Sequence, residues 1–146
     1  MPNKKVTIPV KVKDECRLGL DLIDRGFAGG TETGITRAKQ LSSEKHIDVD
    51  TLVKMRGWFS RHGPDAQNGG TSYPGYLKWV TDGCPVDGKT NVYRGAVAWL
   101  IWGGDAAYIW LKSSRIRELL HVFNPKLTQS SEKILIQAKF RNSPKY

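Results

Sequence analysis

Residues 93–110 read YRGAVAWLIWGGDAAYIW, and this stretch decides the fold of the chain. It is the most apolar segment of the sequence and contains three of the five tryptophans. Its pattern predicts two helices, at about 91–102 and 105–120, because Gly103 can take the left-handed conformation that ends a helix. Asp105 is predicted to cap the second helix, where its carboxylate accepts backbone N–H groups.

The corner formed by Gly103, Gly104 and Asp105 has two interpretations. Tryptophan-rich helices on either side favour burial, and the corner is then a structural turn between two core helices. Backbone N–H groups at a helix N-terminus also bind anions, and the corner would then be a ligand site. Because the Asp105 carboxylate repels a phosphate, we favour the structural interpretation.

Length and composition predict one folded domain without a membrane partner. The chain has 146 residues, of which 39% are hydrophobic, and this suits a single core of modest size. No stretch approaches the roughly 18 uninterrupted apolar residues of a membrane span, and the first residues do not resemble a signal peptide. We therefore expect a soluble protein that is not secreted.

The net charge of +9 indicates an anionic partner, although a basic surface can also serve solubility alone. The excess lies at the two ends of the chain. Residues 1–20 carry five basic and two acidic side chains, and residues 112–146 carry eight basic and two acidic ones. These two segments account for the whole excess, so basic termini are the first candidate for contact with nucleic acid.

The remaining patterns predict a mainly α protein: a compact bundle of four to five short helices with long Gly/Pro loops. The domain would span residues 1–146, with a basic N-terminal arm at 1–11, a helical core at 12–123 and a basic C-terminal extension at 124–146. Further helices are predicted at 13–25, 33–42 and 49–62, the last with Asp48 as N-cap. The β-rich segments 6–12 and 134–140 are predicted to pair as a small two-stranded ribbon from the termini.

One side of the predicted 49–62 helix is basic and contains an aromatic residue. Lys54, Trp58, Arg61 and His62 share this side at helical spacing. Cations beside an exposed aromatic ring suit contacts to the backbone of nucleic acid together with stacking on a base. Trp58 has a second interpretation, in which the Gly-rich loop after the helix covers it. From the basic C-terminal region, Lys112 and Arg115 are further candidates for nucleic-acid binding.

The best catalytic candidates are His62 and Asp65, beside Arg61. Histidine and aspartate can act as a base and the group that orients it, which suggests a weak Arg-His-Asp nuclease. No nucleophile motif accompanies them, and a histidine near a helix C-terminus is commonly a capping residue. The cysteines and histidines show no metal-ligand spacing, so we predict no metal and no cofactor. We favour a non-enzymatic role over the nuclease, which stays open as an alternative.

Four short motifs follow one another along the chain. They are Gly29-Gly30-Thr31; Arg37-Ala38 with Gln40-Leu41; Met55-Arg56 with Trp58-Phe59 and Arg61-His62; and residues 98–105, AWLIWGGD. In this order they resemble a small domain of unknown function from double-stranded DNA viruses, including tailed phages and large algal viruses. In phages, similar segments occur beside or fused to head-assembly proteins such as portal and prohead-protease proteins. The resemblance covers roughly residues 12–111 and implies a viral setting without implying an activity.

We therefore expect a non-enzymatic viral protein, such as a minor capsid protein or another virion- or head-associated structural module. Its location would be the virion or the interior of the infected cell. Its partners would be nucleic acid or neighbouring capsid and head proteins. Two alternatives stay open: a soluble nucleic-acid-binding regulator of infection that is not packaged, and the weak nuclease.

Overall fold

The computed structural model of the chain describes residues 5–63, 74–87 and 91–123. Within these residues the protein is mainly helical, as predicted, with one small antiparallel sheet. The strands are β1 (Lys5–Thr7) and β2 (His46–Asp48). The helices are α1 (Val10–Asp24), α2 (Glu32–Ser43), α3 (Val49–His62), α4 (Pro74–Thr81), α5 (Arg94–Ile101), α6 (Gly104–Leu111) and α7 (Ser114–Phe123). None of these helices is long and apolar enough to cross a membrane.

The two-stranded ribbon is present, but β1 pairs with β2 in the described structure. Val6 lies opposite Ile47 in the register, and both side chains are buried. The predicted partner at 134–140 lies outside the described residues, as does the whole C-terminal extension at 124–146. The described part of the predicted N-terminal arm packs into the fold, because Val6 and Ile8 alternate inward with exposed neighbours.

The start of α3 agrees with the sequence prediction. The Asp48 side chain accepts hydrogen bonds from the backbone N–H of Thr51 at 2.9 Å and from the Thr51 hydroxyl at 2.8 Å. These bonds satisfy a donor that the first turn leaves unpaired, and they lower the pKa of Asp48. Thr31 caps α2 in the same way, since its hydroxyl accepts from the backbone N–H of Gly34 at 3.0 Å.

The apolar segment 93–110 lies at the centre of the molecule. Helix α5 packs against α1, α2, α4 and α6, and α1 also packs against α2 and α6. Beside α5 lies an aromatic cluster of five side chains. They are Trp58, Phe59, Trp99, Trp102 and Tyr108. The rings of Phe59 and Trp99 meet edge to face at 5.0 Å between centroids, a favoured geometry for aromatic pairs.

The predicted helix at 105–120 is wrong in one respect, because two helices, α6 and α7, occupy that stretch. The break falls at Ser113, whose hydroxyl donates to the carbonyl of Trp110 at 2.7 Å. The same hydroxyl oxygen accepts from the backbone N–H of Ile116 at 3.5 Å. Serine side chains compete with helical backbone bonds in this way, so Ser113 ends one helix and caps the next.

Candidate functional site

A cleft of about 610 Å³ lies between α2 and α3. Ten described residues line it: Thr31, Thr33, Arg37, Val53, Lys54, Gly57, Trp58, Arg61, His62 and Trp102. Three of the ten are cationic, and none of these described lining residues is acidic. The described lining therefore carries a net positive charge, and the Asp48 carboxylate, which acts on Arg37 and Lys54, lies outside that lining. We call it the basic cleft.

Close packing at the start of α2 builds one wall of the basic cleft. A Cβ placed on Gly34 would lie 2.7 Å from Ile101 Cδ1 and 3.1 Å from Trp102 Nε1. Only a residue without a side chain lets α2 approach α5 and Trp102 so closely. This approach fixes the side chains of Thr33 and Arg37 beside the Trp102 ring that lines the cleft.

Of the two interpretations of Trp58, the structure supports the covered ring. Trp58 is only 9% exposed, and its ring stacks on Trp102 at 5.3 Å between centroids and 12° between planes. Trp102 is 6% exposed. Among the described residues the covering ring comes from the central segment, and the loop that follows α3 lies outside them. The burial of both rings in the aromatic cluster means that Trp58 contributes an apolar surface to the cleft rather than a platform for base stacking.

Arg37 is the cation that sequence reasoning left out of the site. Its buried Nε atom has no hydrogen-bond partner among the described residues, whereas Nη1 donates to the side-chain oxygen of Gln40. Burial lowers the pKa of Arg37, and the negative charge of Asp48 partly opposes this effect. Asp48 already caps α3. A half-buried guanidinium that lines a cleft is a candidate for contact with an anion.

The opposite wall carries Lys54 and Arg61, which are both exposed. The Arg61 side chain folds back along α3, so that a Cβ on Gly57 would lie 3.2 Å from Arg61 Nη1. Glycine in a helix interior reduces stability, yet here it leaves room for the guanidinium beside the cleft. The structure thus brings Lys54, Trp58, Arg61 and His62 together, as predicted, and adds Arg37 from α2.

Of the other predicted site residues, Lys112 and Arg115 lie apart from the lining of the basic cleft. Lys112 Nζ lies 4.6 Å from the centre of the Tyr108 ring and 3.3 Å from its hydroxyl oxygen. Arg115 is exposed on α7. His62 is exposed at the end of α3, with its ring 5.3 Å from that of Trp58. Its predicted catalytic partner, Asp65, lies outside the described residues.

The corner after Trp102 is structural and is completed by an internal carboxylate. Gly103 has φ +108° and Gly104 has φ +61°, so the left-handed conformation predicted for Gly103 is confirmed and extends to its neighbour. The N-cap of α6 is Gly103, not Asp105 as predicted. Asp105 instead accepts a 2.8 Å hydrogen bond from the indole Nε1–H of Trp99.

Glu15 on α1 takes the capping role that the sequence assigned to Asp105. A Cβ on Gly104 would lie 2.8 Å from the Glu15 carboxyl carbon, and the backbone N–H of Ala106 donates to that carboxylate. Burial and the nearby charge of Asp105 raise the pKa of Glu15 to about 7. We call Glu15, Gly103, Gly104 and Asp105 the acidic corner. Glu15 fills the place where an anionic ligand would bind.

Neither a metal site nor a known relative assigns a chemistry to these residues. Within the described residues, no three histidine, cysteine or carboxylate side chains come together to hold a metal ion. No protein-family model matches the chain, and no curated protein or solved structure matches it.

Proposed function

We propose that this chain is a non-enzymatic viral protein that binds nucleic acid through the basic cleft, as a component of the virus particle. One observation carries the proposal: Arg37, Lys54 and Arg61 surround a cleft whose described lining holds no carboxylate. Cations grouped in this way neutralise phosphates and release the counterions that surround them. The viral setting rests on the motif resemblance alone.

The geometry of the cleft favours contacts to phosphates over contacts to bases. The Trp58 ring is stacked on Trp102 and largely buried, so it offers no open face to a base. Arginine and lysine contacts to phosphate position a protein on nucleic acid without reading its sequence. We therefore expect binding with little sequence preference and a strong dependence on salt.

Lys112 and Arg115 are proposed as a separate contact, for nucleic acid or for a neighbouring capsid or head protein. Lys112 is held against Tyr108, so its position is less free than that of an ordinary surface lysine. Arg115 lies at the start of α7, whose buried side faces the core through Ile116 and Leu119. This surface supplements the basic cleft and does not replace it.

The decisive test is a salt series of affinity for DNA and RNA with wild type and Lys54→Ala/Arg61→Ala. Because each lost phosphate contact reduces the slope of log affinity against log salt by about 0.7–0.9, the double variant should lose about 1.4–1.8. The matched control is Lys39→Ala/Lys45→Ala, which removes two exposed lysines that lie outside the basic termini and do not line the cleft. Equal losses of slope in both double variants would place binding outside the cleft.

Mass spectrometry of purified virus particles tests the structural role. Recovery of the chain at a reproducible copy number supports a particle component. A chain present in infected cells but missing from particles would instead be a regulator that is not packaged. Absence of nucleic-acid binding even at low salt would favour a capsid or head protein as the partner of the basic surfaces.

A further inference from the structure

We infer that the basic cleft takes the phosphate backbone of a short single-stranded stretch, about one to three nucleotides, with Arg37 as its anchor, and that it excludes duplex. This inference depends on the proposed function and specifies its ligand. It combines the cleft's size, the placement of cations on both walls and the half-buried guanidinium of Arg37.

The size of the cleft limits what can enter. Its volume of about 610 Å³ falls within the range of pockets that enclose small molecules. A duplex carries its phosphates on a convex outer surface and would contact only the exposed rims, where Lys54 and Arg61 lie. A single strand can bend its backbone into the cleft and reach both walls.

The spacing of cations along α3 suits a strand of a few nucleotides. Lys54 and Arg61 are seven residues apart, about 10 Å along the helix axis at 1.5 Å per residue. That length corresponds to about three steps of a stacked strand at 3.4 Å per step. Because the Arg61 guanidinium folds back over Gly57, its charge lies nearer to Lys54 than its backbone does. The α3 wall therefore matches one to three phosphates.

Arg37 distinguishes the interior of the cleft from its rim. It lines the cleft from α2 with a half-buried guanidinium, whereas Lys54 and Arg61 on the other wall are exposed. A phosphate within the cleft supplies the opposite charge and hydrogen-bond acceptors, and such charge-assisted bonds are about twice as strong as neutral ones. A ligand that stays at the rim gains nothing from Arg37. Dependence on Arg37 therefore reports entry of the backbone into the cleft.

The test is a fluorescence titration, because Trp58 and Trp102 line the cleft and respond to a ligand within it. The probes are a mixed-sequence single-stranded octamer, a blunt hairpin duplex and a 5′-mononucleotide. We expect the octamer to bind at least about tenfold more tightly than the hairpin, a difference of about 1.4 kcal/mol. The mononucleotide should bind more weakly than the octamer and compete with it.

Variants of Arg37 distinguish its specific contact with the phosphate from a general effect of positive charge. Arg37→Gln should weaken octamer binding about tenfold and leave hairpin binding within about twofold. Arg37→Lys should restore the salt slope without restoring full affinity, since lysine lacks the planar fork. Lys39→Gln removes a cation from the same helix outside the cleft lining and should affect both ligands slightly and equally. Thermal unfolding confirms that each variant folds.

Three results would overturn the inference. Equal affinity for hairpin and octamer, with Arg37→Gln weakening both alike, would place the ligand on the rim while leaving nucleic-acid binding intact. A mononucleotide that binds as tightly as the octamer would make the ligand a small phosphate compound. Failure of both octamer and hairpin to bind at low salt would remove the proposed function as well.

Discussion

The basic cleft and the acidic corner lie on either side of one peptide bond, since Trp102 lines the first and Gly103 begins the second. Both contain partly buried charges of one sign. In the acidic corner, Ala106 N–H donates to Glu15 and Trp99 Nε1–H donates to Asp105. In the basic cleft, by contrast, Arg37 Nε is buried and has no hydrogen-bond partner among residues 5–63, 74–87 and 91–123.

This difference separates a structural use of charge from a binding use. A charged group whose hydrogen bonds are completed by its own chain is part of the fold at that point, whatever the cost of burying its charge. A buried polar group left without a partner reduces stability unless a ligand supplies one. Changes in the acidic corner should therefore alter stability, and changes in the basic cleft should alter binding.

The largest expected effect is on the backbone of the acidic corner. Gly103→Ala should lower the free energy of unfolding by about 3 kcal/mol, because a side chain at φ +108° is strained and its Cβ would lie 2.4 Å from Ala107 Cβ. Equilibrium unfolding in urea measures the loss. The matched control is Gly83→Ala, at φ +91° with nothing within 4 Å of the added Cβ. Strain alone should cost about 1 kcal/mol there.

Equal losses in the two glycine variants would contradict the argument. They would show that tight packing against α6 adds nothing to the conformational strain, and the acidic corner would then be an ordinary turn. Nucleic-acid affinity of the folded fraction of Gly103→Ala provides the second readout. This affinity should match that of wild type, provided that Trp102 still stacks on Trp58 in the variant.

A smaller effect concerns Glu15 and pH. Its pKa is raised to about 7 in the folded protein, so its contribution to stability is fully present below its ordinary pKa of 4.5. That contribution is lost as the pH rises through about 7, because the folded state must then hold an ionised, partly buried carboxylate. Glu15→Gln should therefore unfold at higher urea concentration than wild type at pH 8. The gain is about 1 kcal/mol after allowance for exposure, and it should disappear near pH 4.

Asp105→Asn is the matched control for the pH effect. Its side-chain oxygen still accepts from Trp99, but the like charge beside Glu15 is gone, and the pKa of Glu15 should fall toward its ordinary value. The decline in stability between pH 4 and pH 8 should be shallower than in wild type. A Glu15→Gln variant with the same pH dependence as wild type would show that another group carries it.

These two regions also show what sequence can predict here. The start of α3 at Asp48 was predictable, because a capping residue and the helical pattern after it are local features. The role of Glu15 was not, since it reaches Gly104 and Ala106 only after distant segments have packed. Arg37 was visible beside the apolar stripe of α2, but its membership of the cleft depends on where α3 lies.

Trp58 gives the same lesson for the candidate site. Its spacing with Lys54 and Arg61 identified one wall of the cleft correctly. Its burial depends on stacking against Trp102, which comes from a different part of the sequence. The hydrophobic pattern of one helix predicts the face on which a residue lies. Whether another segment covers that residue depends on tertiary packing.

The smallest effect gives the sharpest contrast between the regions, because stability and binding should move in opposite directions. Gly57 lies inside α3, and Gly57→Ala should raise the free energy of unfolding by about 0.5 kcal/mol. The added Cβ would lie 3.2 Å from Arg61 Nη1, so the guanidinium must move within the basic cleft. Affinity for the single-stranded octamer should therefore fall, as measured by fluorescence titration.

A double-mutant cycle separates this displacement from other effects of the alanine. In an Arg61→Ala background, Gly57→Ala should keep its gain in stability and cause no further loss of affinity, since the displaced group is already gone. Loss of affinity of the same size in both backgrounds would mean that the alanine acts on the cleft by another route. If Gly57→Ala left the affinity unchanged in both backgrounds, Gly57 would have no role in binding. Its destabilising presence in α3 would then lack the functional reason proposed here.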